Sequence, residues 1–209
     1  LFIDELNTLR DELGLTSINL LGHSWGGALA AEYLLTTPQG VNKAVLSSPL
    51  LDTTLWVEEA DALKELLPKD VRDVMRRHEA AGTTDSKEYQ EAYLVFRSSF
   101  VCRIKPYPAI MQRADDMAGV QVYTTMWGPS EAYATGTLRG WSVLERLAGI
   151  TIPTLLLSGK YDEATPRQVA LAQEKIAGAQ WTLFEKSSHT ANFEEPDKYL
   201  SVVNDFLIS

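Results

Sequence analysis

One stretch leaves this chain little choice of fold: Leu20-Leu21-Gly22-His23-Ser24-Trp25-Gly26-Gly27-Ala28. Ile18, Leu20 and Leu21 supply a buried strand, and Gly26, Gly27 and the run Ala28-Leu29-Ala30-Ala31 supply a helix. Between them Gly22-His23-Ser24-Trp25-Gly26 fits G-x-S-x-G. Set between strand and helix, that pattern bends the backbone sharply and presents the serine hydroxyl to a cleft. Side chains two residues either side of Ser24 would collide in such a turn, hence Gly22 and Gly26, while Gly27 lets the helix approach the sheet. The N–H of Trp25 is then aimed where an oxyanion would form on a carbonyl attacked by Ser24.

The rest of the chain supplies a parallel sheet around that turn. An amphipathic helix opens it, with Phe2, Leu6, Leu9 and Leu13 at helical spacing and Gly14 as its stop. The strand Thr16–Leu21 feeds the turn, the helix Gly26–Leu35 follows, and Val41–Ser47 reads as the next buried strand. Strand, helix and strand in this order imply parallel pairing with helices on the sheet faces. From about Thr54 to Leu147 strand character fades. Amphipathic helices are expected at Trp56–Leu67, Asp70–Ala81, Ser86–Phe100 and Trp141–Leu147. The sheet resumes at Ile152–Gly159. A helix then opens at Thr165-Pro166, Trp181–Phe184 is the last strand, and Glu195-Pro196 opens the closing helix. The expected organisation is a core in two parts, 1–53 and 148–209, with an all-helical cap at 54–147 inserted between them.

Composition excludes several classes. The net charge of −9 argues against a nucleic-acid partner. No apolar run reaches membrane-spanning length, and no signal peptide is visible. Cys102 is the only cysteine, so no intrachain disulfide can form, which fits a cytoplasmic location. The chain opens on a helix with no preceding hydrophobic strand, so it is expected to be the C-terminal portion of a longer protein.

A serine nucleophile needs a base, and the base an orienting acid. The chain has three histidines. His23 lies inside the turn, its side chain expected to point away from the cleft. His78 falls on a charged helix and reads as a surface residue. His189 follows the last strand in the polar turn Lys186-Ser187-Ser188-His189-Thr190, at a strand's C-terminal end, where catalytic residues of such sheets sit. The loop Gly159-Lys160-Tyr161-Asp162-Glu163 supplies the acid, Asp162. Thr165 takes the helix-capping role there. Ser24, Asp162 and His189 fall in the order nucleophile, acid, base, which is that of α/β-hydrolases. Glu194 and Glu195 read as first-turn acids of the closing helix.

The sequence resembles the proline iminopeptidases, α/β-hydrolases that release an N-terminal residue, mostly proline, from peptides. The resemblance covers essentially the whole chain and rests on four stretches. They are Gly22-His23-Ser24-Trp25-Gly26-Gly27, then Trp127-Gly128-Pro129-Ser130-Glu131 with Thr135-Gly136-Thr137-Leu138, then Gly159–Pro166, and Ser188-His189. It implies a serine aminopeptidase that acts through an acyl-enzyme on short peptides or amino-acid amides with a free N-terminus, with no metal or organic cofactor. It further implies that Glu131 and Glu163 hold the substrate ammonium through charge-assisted hydrogen bonds and reject blocked amines. Trp25, Trp127 and Tyr133 are candidates to line the pocket for a proline ring. The family carries a His-Gly-Gly-Pro-Gly loop ahead of the serine turn, whose N–H is the second oxyanion donor. No such stretch occurs in these residues: the expectation is that the missing N-terminal segment was cleaved, sits in another chain with which this one would associate, or lies outside this sequence. Other α/β-hydrolase chemistry (an amidase, an esterase or a carbon–carbon hydrolase) is the first alternative. A non-catalytic fragment that needs its missing half is the second.

Overall fold

The computed structural model describes all residues, Leu1–Ser209. The chain divides into two compact units, one formed by Leu1–Asp52 with Ser142–Ser209, the other by Thr53–Trp141.

The first unit is an α/β structure. It begins with α1 (Phe2–Glu12), β1 (Ile18–His23), α2 (Trp25–Leu34) and β2 (Val41–Ser47). The second unit then contributes α3 (Thr53–Lys64), α4 (Lys69–Ala81), α5 (Lys87–Phe100), α6 (Ala109–Asp116) and α7 (Val120–Met126). The first unit resumes with a 3-10 turn at Leu144–Gly149, then β3 (Thr154–Gly159), α8 (Pro166–Lys175), β4 (Gln180–Phe184), α9 (Ala191–Glu194) and α10 (Pro196–Ile208). The four strands form one sheet in the order β1-β2-β3-β4, and every pairing is parallel. All four C-terminal ends therefore lie along one edge, so the loops after β1, β2, β3 and β4 meet there.

Strand alternation separates the two faces. Val45, Leu155 and Leu157 join Phe184 and the Tyr199, Val203 and Phe206 side of α10 in one buried cluster. Each such side chain contributes about 1.5–3 kcal/mol by leaving water. Ala44, Leu46 and Leu156 point the other way and are fully buried. α2 packs along β1 and β2, and α8 along β3 and β4.

Several expectations are corrected here. β1 is only partly buried within this chain: its residues alternate, and Leu21 is 49% exposed. α1 buries none of its residues, with Leu9 and Leu13 exposed. No regular α-helix forms over Trp141–Leu147; a 3-10 turn begins at Leu144 instead. Neither α6 nor α7 was expected from the sequence; both are short and bury no residue. A Cβ on Gly22 would lie 2.2 Å from the Gly26 carbonyl oxygen, and one on Gly27 would lie 2.6 Å from Pro49 Cβ. A Cβ on Gly26 would meet nothing within 4 Å, so contacts within this chain do not account for that glycine.

Candidate active site

The serine turn has the backbone that its spelling implies. Ser24 stands between β1 and α2 at φ 54° and ψ −121°, a conformation that ordinary side chains avoid. The surroundings hold it there. Its N–H donates to Ser47 O at 3.0 Å, and its carbonyl accepts from Gly27, Ala28 and Leu50 N–H at 2.9, 3.3 and 3.1 Å. The Ser24 hydroxyl makes no capping bond to α2. Trp25 occupies the first position of that helix, where a backbone N–H has no partner within the helix. Its indole is 36% exposed and meets Phe2 edge to face at 4.9 Å.

Asp162 and His189 come together from the loops after β3 and β4. His189 Nδ1 donates to Asp162 Oδ1 at 2.7 Å, which leaves Nε2 as the nitrogen able to accept a proton. Both groups are buried, Asp162 at 1% and His189 at 5% exposure. Asp162 is held by three more donors: Ala164 N–H on Oδ1 at 2.8 Å, and Gly159 N–H and Ser48 Oγ–H on Oδ2 at 3.2 and 2.5 Å. Thr165 begins α8 without a side-chain capping bond, so Asp162 itself organises this turn. Glu163 is fully buried, with Oε1 3.8 Å from His189 Nε2.

Four residues at this site escaped the sequence reading. Ser48, at φ 45°, fixes the second oxygen of Asp162. His23 does not point away: its Nε2–H donates to the His189 carbonyl at 2.9 Å, and the two rings lie 4.7 Å apart. It thereby ties the His189 loop to the end of β1, next to Ser24. Burial and the neighbouring His189 lower its pKa to about 4, so it stays neutral. Glu194 and Glu195 are not simple dipole acids. Glu194 accepts Ser188 N–H and Oγ–H at 2.6 and 2.9 Å, and Glu195 accepts Lys186 N–H and Ser187 Oγ–H at 3.0 and 2.6 Å. Together they clamp the turn that carries His189. Gly159 allows this turn to approach β3, since a Cβ there would lie 2.1 Å from Ser188 O. No sequence pattern marks Ser48, and acids that open a helix read alike whether or not they reach back.

The remaining predicted residues lie in the second unit. The turn bearing Glu131 is held at its backbone by aromatic side chains. Trp127 Nε1–H donates to Ser130 O, Trp56 Nε1–H donates to Glu131 O, and Glu131 N–H donates to Tyr93 Oη, at 2.9, 3.0 and 3.1 Å. Trp127 is 6% exposed and packs edge to face on Trp56, so it serves the interior of this unit. Tyr133 donates its hydroxyl to Glu79 O at 3.1 Å. Tyr89 Oη lies 2.7 Å from Ser130 Oγ and donates to Glu79 Oε1, and Lys64 Nζ pairs with Glu79 Oε2 at 2.7 Å. His78 bridges α4 and α5, with Nδ1 2.7 Å from Thr83 Oγ1 and Nε2 3.1 Å from Glu88. No helix is long and apolar enough to cross a membrane.

Comparison with known proteins agrees with this architecture. The family described as the alpha/beta hydrolase fold matches residues 2–196. The proline iminopeptidase of Heyndrickxia coagulans is 39% identical over 209 residues, covering 100% of this chain and 73% of the relative. That of Saccharolobus solfataricus is also 39% identical, covering 98% of this chain and 67% of the relative. Among solved structures, VinJ superposes with a TM-score of 0.92 at 38% identity, and proline iminopeptidase from Mycobacterium smegmatis with 0.89 at 36%. Each covers 99% of this chain; the chain spans 71% and 70% of their lengths.

Proposed function

We propose, from the premise that the chain belongs to the proline iminopeptidase family of α/β-hydrolases, that it releases an N-terminal residue, preferably proline, from short peptides by serine catalysis. The observation that carries this reading is the 2.7 Å bond from His189 Nδ1 to the four-donor carboxylate of Asp162, set beside the strained Ser24 turn. Asp162 fixes the tautomer, so Nε2 faces the reaction as a base. His189 takes the proton from the Ser24 hydroxyl as Oγ bonds to the carbonyl carbon of the N-terminal residue. The Trp25 N–H stabilises the oxyanion. Collapse breaks the carbon–nitrogen bond, and His189 returns the proton to the leaving amine. Water, deprotonated by His189, then cleaves the acyl-enzyme and frees the amino acid.

Specificity for a free amine is assigned to Glu163 and Glu131 by the family resemblance. The complete burial of Glu163 supports its part, since a desolvated carboxylate gains most from a cationic partner. The test compares a prolyl anilide with a short-chain nitrophenyl ester. Glu131→Gln is expected to lower kcat/KM for the anilide by about a hundredfold or more, the cost of leaving a charged group unpaired, and to spare the ester. Equal losses on both substrates overturn the aminopeptidase reading in favour of general esterase chemistry.

A further inference from the structure

The imidazole of His189 lies between the carboxylates of two consecutive residues. Asp162 Oδ1 is 2.7 Å from Nδ1, and Glu163 Oε1 is 3.8 Å from Nε2. The first contact is a hydrogen bond that orients the ring. The second is beyond hydrogen-bond length and falls on the nitrogen that must take the serine proton. We propose that Glu163 locks the base: it stabilises a protonated Nε2 in the free site, and the substrate's ammonium, by pairing with Glu163, releases that proton and switches His189 on.

The charges around the ring favour the locked form. Asp162 and Glu163 are 1% and 0% exposed, so water screens neither strongly. A negative group within about 4–6 Å of a titratable cation holds the proton more tightly by about 1–3 pH units. His23 contacts His189 from β1 but is neutral, being lowered to about 4. Glu194 and Glu195, beside α9 and α10, are acidic and are engaged by Ser188, Ser187 and Lys186 N–H. The Ser24 hydroxyl carries no charge. A protonated Nε2 has no lone pair for the serine proton, so the locked site is inactive.

When an ammonium reaches Glu163, the local charge rises by one and the imidazolium loses its support. The Nε2 proton passes to water, and the freed lone pair accepts the proton of Ser24 as Oγ attacks. An N-blocked peptide or a simple ester brings no cation and leaves the lock in place. Discrimination then falls on kcat as well as on KM. The identity of the cation rests on the aminopeptidase reading above; the lock itself rests on the position of Glu163.

The test is the pH dependence of hydrolysis of a nitrophenyl ester and a prolyl anilide by the protein and its isosteric Glu163→Gln variant. For the ester, the variant is expected to move the acid limb of kcat/KM down by about one pH unit or more. Near pH 6 it would then exceed the unmodified protein about tenfold, a gain that a merely structural role for Glu163 cannot produce. Superimposable acid limbs overturn the lock. Should the variant fail to fold, the unmodified protein decides. With the anilide, the acid limb of kcat, which reports the bound state, is expected below that of kcat/KM, which reports the free enzyme; coincident limbs overturn the lock. Failure of the aminopeptidase reading looks different, as an anilide left uncleaved while the ester limb still moves with Glu163→Gln.

Discussion

Asp162 in the α/β unit and Glu79 in the helical unit are both buried carboxylates, yet their surroundings are opposite in kind. Asp162 accepts from two backbone N–H groups, one hydroxyl and one imidazole, and no Lys or Arg touches it. Glu79 faces a lysine, Lys64 at 1% side-chain exposure, together with the Tyr89 hydroxyl. Burial pushes the Glu79 carboxyl above the ordinary carboxylate range in spite of Lys64, and the Tyr89 hydroxyl is likewise raised by burial. The first carboxylate is fixed by backbone and hydroxyl dipoles and shares an oxygen with the His189 imidazole, with no permanent cation beside it. The second spends its charge on a permanent partner and organises the turn before Glu131 through Tyr89 and Ser130. On the function proposed above, the first kind of carboxylate orients a reacting group and the second holds a scaffold.

Substitution at each should separate the two kinds. Asp162→Asn is expected to lower kcat by about ten-thousandfold, because the amide favours the wrong histidine tautomer. The variant's stability should fall by only about 1–3 kcal/mol, from turning the amide N–H2 towards two buried donors; a loss of stability with kcat intact would break the distinction. Lys64→Met reverses the pattern. Leaving Glu79 buried without its cation should cost about 3–5 kcal/mol in urea unfolding, and Lys64→Met with Glu79→Leu should recover most of it. A single variant as stable as the parent would show that the pair organises nothing.

The smallest effect sharpens the comparison from the side of a neutral group. Below pH 6.5 the unfolded chain protonates His23, while the folded chain does not until about 4. Stability therefore falls as pH drops through that window and levels off below it. Between pH 7 and 5 the parent should lose about 2 kcal/mol more than the His23→Gln variant, as read by chemical denaturation. Parallel curves would mean that His23 is charged in the folded state and does not serve as a neutral tether for the His189 loop.

What could be read in advance follows from how far apart the cooperating residues lie. The Ser24 turn was legible because strand, glycines and helix are contiguous, so local sterics alone specify the bend. Asp162 and His189 were legible because each ends a strand of a parallel sheet, and such ends converge whatever the loops contain. Ser48, His23, Glu194 and Glu195 were not, because each earns its role from a partner that the loops bring near. The Lys64–Glu79 pair is hidden for the same reason: a lysine and a glutamate on separate helices look like solvated surface until packing removes the water.

The amino-acid order by itself determined the parallel α/β core, the helical insert and the strained serine, since periodicity and steric spelling act over neighbouring residues. Only the tertiary structure decided that His23 leans on His189 rather than away. It also bonded one carboxylate to Nδ1 of His189 and brought a second within 3.8 Å of Nε2. Burial, charge partnership and distance between loops are properties of packing, and packing sums over residues that the chain keeps far apart.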